Sequence, residues 1–372
     1  AYRFAEPGDD RFQAAQLAAR MAYLENRPTL AQIWLRRTAI HAPTDQDQDL
    51  LARDYRALRQ INPWSLSLRG DLRPSSNVNN GADSAVNIIN GIPDGGTLPA
   101  SAQALSGLVG SLDLAASYRL HVSQTSRTTL GARLYVQRVK LSDSAQAQAP
   151  GVSNGQFNSE YAEISLEHLF RIGSAESQQS AGVQFTLGES RYGGQRNFRL
   201  VRIEATRAWM VGSSAELSLS GLAERRFDAR YLSNEATILG VGAGYARELD
   251  SGDTVTFSAF FRDSDAEYRN GTYRSASLRA SYGFAEQLGP AKVTASVGLG
   301  QSDYPSFQAL VVRPPSRRTD TSYFGDLSLF FPDYDYAGFA PTLRFRLARN
   351  RSNVSAYSTR ESSVSLGIQS KF

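Results

Sequence analysis

Glu361-Ser-Ser-Val-Ser-Leu-Gly-Ile-Gln-Ser-Lys-Phe372 closes the chain, and its reading decides the fold. Taken at every second residue, one face carries Val364, Leu366, Ile368, Ser370 and Phe372. The other carries Ser363, Ser365, Gly367, Gln369 and Lys371. Only an extended backbone sends successive side chains to opposite faces. The segment therefore predicts a strand that runs to the last residue and ends on an aromatic. Soluble sheets rarely finish this way. Outer-membrane β-barrels do, because the last strand closes the barrel and its terminal aromatic enters an interfacial girdle. Val364, Leu366, Ile368 and Phe372 are read as that barrel-closing signal.

The composition fits this reading. The 372 residues exceed one ordinary compact domain unless they form a single barrel-like body. Apolar residues make up 41% and mean hydropathy is −0.36, so no run approaches the about 18–20 apolar residues of a membrane helix. A barrel gives the same average, since lipid-facing and lumen-facing residues alternate and cancel. Zero Cys excludes thiol catalysis, disulfides and cysteine zinc sites. A net charge of +4 from 40 basic and 36 acidic residues is too mild for a nucleic-acid partner. The opening Ala1-Tyr2-Arg3 shows no leader, as if a signal peptide had been removed or left out.

Residues 1–62 read as helices. Ala14, Leu17, Ala18, Met21 and Leu24 fall at helical spacing after Gly8-Asp9-Asp10, where an Asp is expected to cap. Pro28 and Thr29 start a second helix, and Thr44-Asp45 caps a third. Such helices resemble tetratricopeptide pairs, but one and a half units cannot bury a solenoid core alone. They are expected to pack on something else. Their apolar stripes are read first as structural. A partner-binding groove is the second reading, with Leu30, Trp34, Leu51 and Tyr55 as client contacts.

From Trp64 onward the text is strands and turns. Alternation marks strands at 64–73, 108–118, 130–136 and 161–168. Others follow near 178–190, 198–209, 214–227, 234–248, 254–267, 272–286, 291–303, 321–331, 338–349 and 360–372. Fourteen strands, an even number, bring both ends to one side. The long connections 74–104, 141–156 and 304–320 then share the opposite end, while the other set of turns is uniformly short. That parity is the asymmetry of bacterial outer-membrane barrels.

The face opposite the apolar one is polar and of mixed sign. Its lumen-facing candidates are Arg69, Asp71, Arg73, Arg119, Arg133, Glu163, Glu167, Arg202, Glu204, Arg279, Arg344 and Arg346. One reading is a hydrated lumen whose charges pair across strands. The other is a track for a passing polypeptide, with Gly240, Gly242 and Gly244 leaving a smooth wall for it. Little supports catalysis. Gly151-Val-Ser153-Asn-Gly155 matches the nucleophile-elbow pattern but lies in a Gln/Ala/Pro loop without the required helix. His41, His121 and His168 lack ligand spacing, so no zinc or other metal site and no cofactor is expected. Asp263, Asp265 and Glu267 alternate at an outer strand end, read as solvated or as bridging cations to lipopolysaccharide.

Asn62-Pro-Trp-Ser-Leu-Ser-Leu-Arg-Gly-Asp-Leu-Arg-Pro-Ser-Ser-Asn-Val-Asn-Asn80 resembles the surface lipoprotein assembly modifier (Slam) family. So does Arg349-Asn-Arg-Ser-Asn-Val-Ser-Ala-Tyr357 before the final strand. The resemblance implies a fourteen-stranded barrel with a periplasmic tetratricopeptide domain, helping to deliver lipoproteins or secreted proteins to the cell surface. Family members carry a longer helical segment than residues 1–62, and the family supplies no catalytic residues to carry over.

The expectation is an all-β transmembrane barrel of about fourteen antiparallel strands, 63–372, with a short α-helical N-terminal domain, 1–62. It is placed in the bacterial outer membrane with the helices in the periplasm. Expected partners are outer-membrane lipid and lipopolysaccharide, the barrel assembly machinery and an exported protein or lipoprotein client. The function expected is export or display without catalysis, through a polar path or a seam between the first and last strands. A passive diffusion porin is the alternative, and an outer-membrane lipase a distant third.

Overall fold

A computed structural model describes residues 2–174, 179–308 and 317–370. Three helices lead the chain: α1 (Asp9–Leu24), α2 (Pro28–Ala39) and α3 (Asp45–Ile61). Gly8, not an Asp, is the N-cap of α1, and Asp9 and Asp10 lie in its first turn, where they favour the helix dipole. Pro28 opens α2. At α3 the Thr44 hydroxyl oxygen accepts from the Asp47 backbone N–H at 3.2 Å, an N-cap. Ala19, Ala22, Ala31, Leu35, Leu51 and Leu58 form the helices' shared core, the alanines letting α1 and α2 approach closely.

The strands are β1 (Trp64–Ser75), β2 (Val86–Ile89), β3 (Ile92–Thr97), β4 (Gly107–Val122), β5 (Ser126–Leu141), β6 (Ser159–Ile172), β7 (Gln179–Tyr192) and β8 (Gln195–Val211). They continue as β9 (Ala215–Phe227), β10 (Ala236–Glu248), β11 (Thr254–Ala266), β12 (Tyr273–Gly283), β13 (Lys292–Tyr304), β14 (Arg318–Phe330), β15 (Phe339–Ser352) and β16 (Thr359–Ser370). All but β2 and β3 make one closed antiparallel barrel of fourteen strands, each paired with its sequence neighbour and β1 with β16. The pair β2–β3 is a separate hairpin inside the first long connection. Asn90 and Gly91, at φ 52° and 81°, form its turn, so the connection expected over 74–104 holds an Asn-Gly hairpin that the strand count omits.

The barrel is inside out relative to a soluble protein. Leu66, Val241, Val297, Leu347 and Leu366 are exposed on the outer face, an apolar belt that only lipid can cover. Val364, Leu366 and Ile368 belong to it as read, whereas Phe372 lies outside the described residues. Trp64 and Tyr118 face each other across β1–β4 with ring centres 4.9 Å apart, at the end where the helices attach.

The three longest connections, 76–106, 142–158 and 305–317, share the end opposite the helices. The segregation is not perfect. Gly193-Gly194 makes a two-residue turn at the long-loop end, and 284–291 and 331–338 are longer than the tight turns at the helix end. The long loops fold into small cores of their own. One gathers Leu105, Leu141, Ala145 and Ala149 with the short helix α4 (Asp143–Gln148); another joins Ile89, Phe307 and Val354.

Candidate functional site at the closing seam

The strand junctions are not equivalent. Along its β4 edge, β1 pairs without a gap from Trp64 to Ser75. Along its β16 edge the pairs among the described residues are Gly70 with Ile368, Asp71 with Gly367, Leu72 with Leu366 and Ser75 with Ser363. The register is the same on both sides of Arg73 and Pro74, which drop out of the pairing only because a proline N–H is wanting there. Proline has no N–H to give a ladder, so it belongs at an edge or an irregularity. Pro74 thus leaves one ladder bond unmade at this seam.

Both ends of the seam are fastened by other means. At the long-loop end, the Ser76 N–H donates to the Ser362 carbonyl at 3.2 Å and the Asp83 N–H to the Ser358 carbonyl at 2.9 Å. Buried Asn77 donates to the carbonyls of Gly81 (2.8 Å) and Arg360 (3.3 Å) and accepts from the Gly81 N–H. Asn79 donates to Ser101 and Gln103 and accepts from the Leu105 N–H. The Ser355 hydroxyl bonds both the Val86 carbonyl and the Ile88 N–H of the hairpin, and Asn353 bonds Asn90. The polar runs 76–80 and 350–355 thus hold the first and last loops together. Beside them, the Arg318 guanidinium lies between the rings of Tyr304 and Tyr357, 3.7 and 3.6 Å from their centres, and bonds Asp320.

At the other end the helices bridge the seam. Arg36 of α2 donates to the carbonyls of Ala337 (3.1 Å) and Gly338 (3.4 Å) and to Ser370 Oγ (3.0 Å), and stacks over Phe339. On the far side of the seam, Arg119 of β4 donates to the carbonyls of Arg59, Gln60 and Asn62 at the end of α3. Arg119 points into the barrel and, with Glu167, lines a cavity of about 410 Å³ under the helices.

The inner wall of the seam holds a cavity of about 500 Å³, lined by Arg69, Asp71, Arg73, Arg344 and Arg346 among others. The structure therefore brings five of the twelve lumen-facing candidates together. Arg344 and Arg346 both pair with buried Asp326, at 3.0 and 3.1 Å, and Arg73 lies 3.5 Å from Glu361. Asp71 accepts from Ser111. Arg69 has no carboxylate within 4.0 Å among the described residues.

The other candidates are spread round the lumen. Arg133 makes a two-point pair with Asp113, and Glu163 accepts from Tyr161. Arg202 reaches Glu204 (3.5 Å) and Glu224 (2.7 Å). Arg279 bonds Ser296 and lies over Phe324.

The glycine wall is not bare. A Cβ on Gly240 or Gly242 would run into the Phe260 ring at 2.7 or 2.9 Å, and one on Gly298 into Phe324. These glycines make room for two inward aromatic rings, with Arg262 over Phe260 and Arg346 over Phe324. A smooth track along β10 is not what they form.

The proposed client contacts also need correcting. Leu51 is buried in the helical core, and Leu30, Trp34 and Tyr55 pack against it. The exposed apolar side chains are instead Leu17, Tyr23 and Ile61, beside a groove of about 660 Å³ between α1 and α3. Helical spacing marks these residues as apolar without separating the face turned to the core from the face turned to the groove.

Ser153 precedes only a short 3-10 turn, Asn154–Phe157, and Asn154 serves to accept from the Leu141 N–H. Asp263 pairs with Arg274, and Glu267 with Arg225. Among the described residues no group of acidic and histidine side chains is arranged to hold a metal.

Residues 64–372, the whole barrel, match the family described as "Surface lipoprotein assembly modifier". The chain belongs to the surface lipoprotein assembly modifier family. That family and this fold are those of a membrane barrel, not of an enzyme family, and they assign the chain to the outer membrane. The match begins at Trp64, so the helical segment ahead of this surface lipoprotein assembly modifier barrel lies outside it. No curated protein matches the chain.

Among solved structures, the barrel is similar to OprB of Pseudomonas putida. The identity is 12%, over 86% of this chain and 96% of that one, with a TM-score of 0.45. A BenF-like porin from Pseudomonas fluorescens Pf-5 is 10% identical over 82% and 99% (TM-score 0.42). A bacterial polysaccharide outer membrane secretin is 10% identical over 82% and 98% (TM-score 0.41).

Proposed function

We propose that this surface lipoprotein assembly modifier is an outer-membrane translocator that helps export or display lipoproteins or secreted proteins at the bacterial surface, without catalysis. The observation that carries the reading is the seam: the first and last strands close the wall there, one ladder bond is missing at Pro74, and an arginine-lined cavity lies behind. A wall that opens along one line offers a chain with a lipid anchor a way to leave sideways, which a rigid pore does not.

In this reading residues 1–62 form a periplasmic domain that receives the client at the barrel mouth, and its contacts to β4, β15 and β16 couple capture to the seam. Lipid and lipopolysaccharide surround the apolar belt. The last strand is the signal by which the barrel assembly machinery inserts the protein.

The test is deletion in the native host, with surface lipoproteins scored by protease shaving of intact cells. Loss of surface exposure with normal total abundance supports the reading; unchanged exposure of every lipoprotein and secreted protein sinks it. The polar lumen also suits a passive diffusion porin for small polar solutes. Large, steady conductance of the intact protein in a planar bilayer would favour that reading. A barrel that conducts only after residues 1–62 are removed would count against it.

A further inference from the structure

The lipid-facing wall changes chemistry abruptly near the long-loop end of β15 and β16. Below that point the outer face is apolar, through Phe345, Leu347, Val364 and Leu366. Beyond Leu347 and its ladder partner Ser362, the next outward pair is Arg349 with Arg360, and Arg351 follows on β15. Like charges set directly opposite each other on a sheet repel. On its other side Arg349 is paired with Tyr323, an exposed aromatic at the level of the interfacial girdle. The three arginines therefore stand where hydrocarbon gives way to head groups.

What sets them apart is the lack of a counter-charge. Elsewhere on this rim Arg225 has Glu267 at 3.0 Å, Arg274 has Asp263 at 3.2 Å, and Arg138 and Arg317 pair with Glu160 and Asp303. Glu361, next to Arg360, turns the other way to Arg73 and the Ser75 hydroxyl, and Asp320 is held by Arg318. Among the described residues, neither Arg349, Arg351 nor Arg360 has a carboxylate within 4.0 Å. Arg349 Nε is buried and has no hydrogen-bond partner in the protein. Such orphans are uncommon and call for an acceptor from elsewhere. Just below the arginines lies an outer groove of about 880 Å³, walled by Leu108, Phe345, Leu347 and Val364 around Pro74.

We propose that Arg349, Arg351 and Arg360 bind the phosphates of a lipopolysaccharide molecule, with an acyl chain of its lipid A in the groove below. The planar fork of arginine takes phosphate oxygens two at a time. The guanidiniums spring from positions roughly 5 Å apart across the ladder and roughly 7 Å apart along β15. One phospholipid phosphate cannot neutralise all three, whereas lipid A carries a phosphate at each end of its sugar pair. Bound lipid also screens Arg349 from Arg360 and so holds the last two strands together. The site rests on the outward orientation of the long loops in the export reading, and it gives the barrel a fixed lipid beside its closing strand.

The probe is bisphosphorylated lipid A, titrated into the detergent-solubilised full chain and followed by native mass spectrometry. A lipid A adduct is expected that neither equimolar dioleoylphosphatidylglycerol nor inorganic phosphate displaces. Arg349→Gln with Arg360→Gln should weaken it by about tenfold or more, the loss of a charge-assisted bond, while Arg317→Gln at the same rim should leave it unchanged. Heat-modifiable gel migration verifies that each variant barrel is folded. Arg360→Glu gives a second readout, because it pairs with Arg349 across the ladder. Without lipid it should melt no lower than the wild type, and it should lose the rise in Tm that lipid A gives the wild type.

Equal binding of lipid A stripped of its phosphates would overturn the site. So would equal competition by phospholipid, undiminished binding by the folded double variant, or a full lipid A-dependent rise in Arg360→Glu. Orientation is read separately, with an epitope tag in 76–106 and antibody on intact cells. If the tag is exposed and lipid A does not bind, the site fails and the export reading stands. If the tag is reached only after the outer membrane is permeabilised, the orientation assumed in the export reading fails and takes the site with it.

Discussion

Arg36 of α2 donates through Nη2 to Ser370 Oγ of β16 at 3.0 Å, tying the helical segment to the last described residue of the closing strand. The same guanidinium holds two carbonyls of the β14–β15 turn and stacks on Phe339. Arg36→Ala removes charge-assisted bonds worth together about 1.5–3 kcal/mol and a stacking contact of about 0.5–2 kcal/mol. The helices should then swing free about Asn62-Pro63. Limited proteolysis should cut near residue 62 far faster, with barrel heat-resistance unchanged. Arg36→Lys should not rescue, since an ammonium cannot span the turn and Ser370 with one planar fork.

Asn77 is 6% exposed and pins the first long loop to Gly81 and to Arg360 before the last strand. Asn77→Ala leaves buried carbonyls and an N–H unpaired, at a cost of about 1–3 kcal/mol. Thermal unfolding should shift down accordingly, and protease should enter 76–106 in intact cells. A variant with wild-type melting and an intact loop would mean the loop is held by its apolar core alone.

Asp326 neutralises both Arg344 and Arg346 from a nearly buried position. Asp326→Asn keeps the shape and removes the charge. Because both arginines retain part of their hydration, the expected cost is moderate, about 1–3 kcal/mol. The clearer readout is ionic: any residual current should become more anion-selective by reversal potential under a salt gradient. Double replacement with Arg344→Gln should restore the balance.

Asp253, in the β10–β11 turn at the helix end, accepts from the Ala285 N–H (2.8 Å) and the Tyr282 hydroxyl. The Ala285 N–H first, then the Tyr282 and Ser251 hydroxyls, hold its carboxyl below the usual carboxylate range. A depressed folded-state pKa stabilises above the unfolded value and is lost as pH falls through the folded one. Asp253→Asn should therefore differ from wild type at neutral pH and converge with it only when the pH falls below the ordinary Asp range. Equal melting temperatures at pH 7 would show the turn needs no charge.

Much of this molecule was legible because lipid enforces the period. Each lipid-crossing segment must alternate, so even Trp64–Ser75 and Thr359–Ser370, at opposite ends of the chain, announced themselves. The seam did not. Whether Arg73 faces a partner depends on the register of a strand nearly 300 residues away, although Pro74 within a strand already signalled an edge or irregularity. Arg36 carried no signal either, because an arginine on a helix surface looks alike whether it meets water or a neighbouring turn. The stripe with Leu30, Trp34, Leu51 and Tyr55 was seen, but in a helix trio both a core and an outer groove are apolar, and spacing alone does not rank them.

The bonds between Ser355 and the β2–β3 hairpin join residues 267 and 269 positions apart. Contacts so distant in sequence form late, because the loop they close is long and its entropy must be lost first. During synthesis and transit the hairpin waits, its apolar Ile89 without Val354, until the final loop arrives. Completion of the barrel is therefore a single terminal event in which the oldest and newest parts of the chain meet. A catalyst of that meeting would govern the yield of folded protein more than any stabilising substitution elsewhere in the wall.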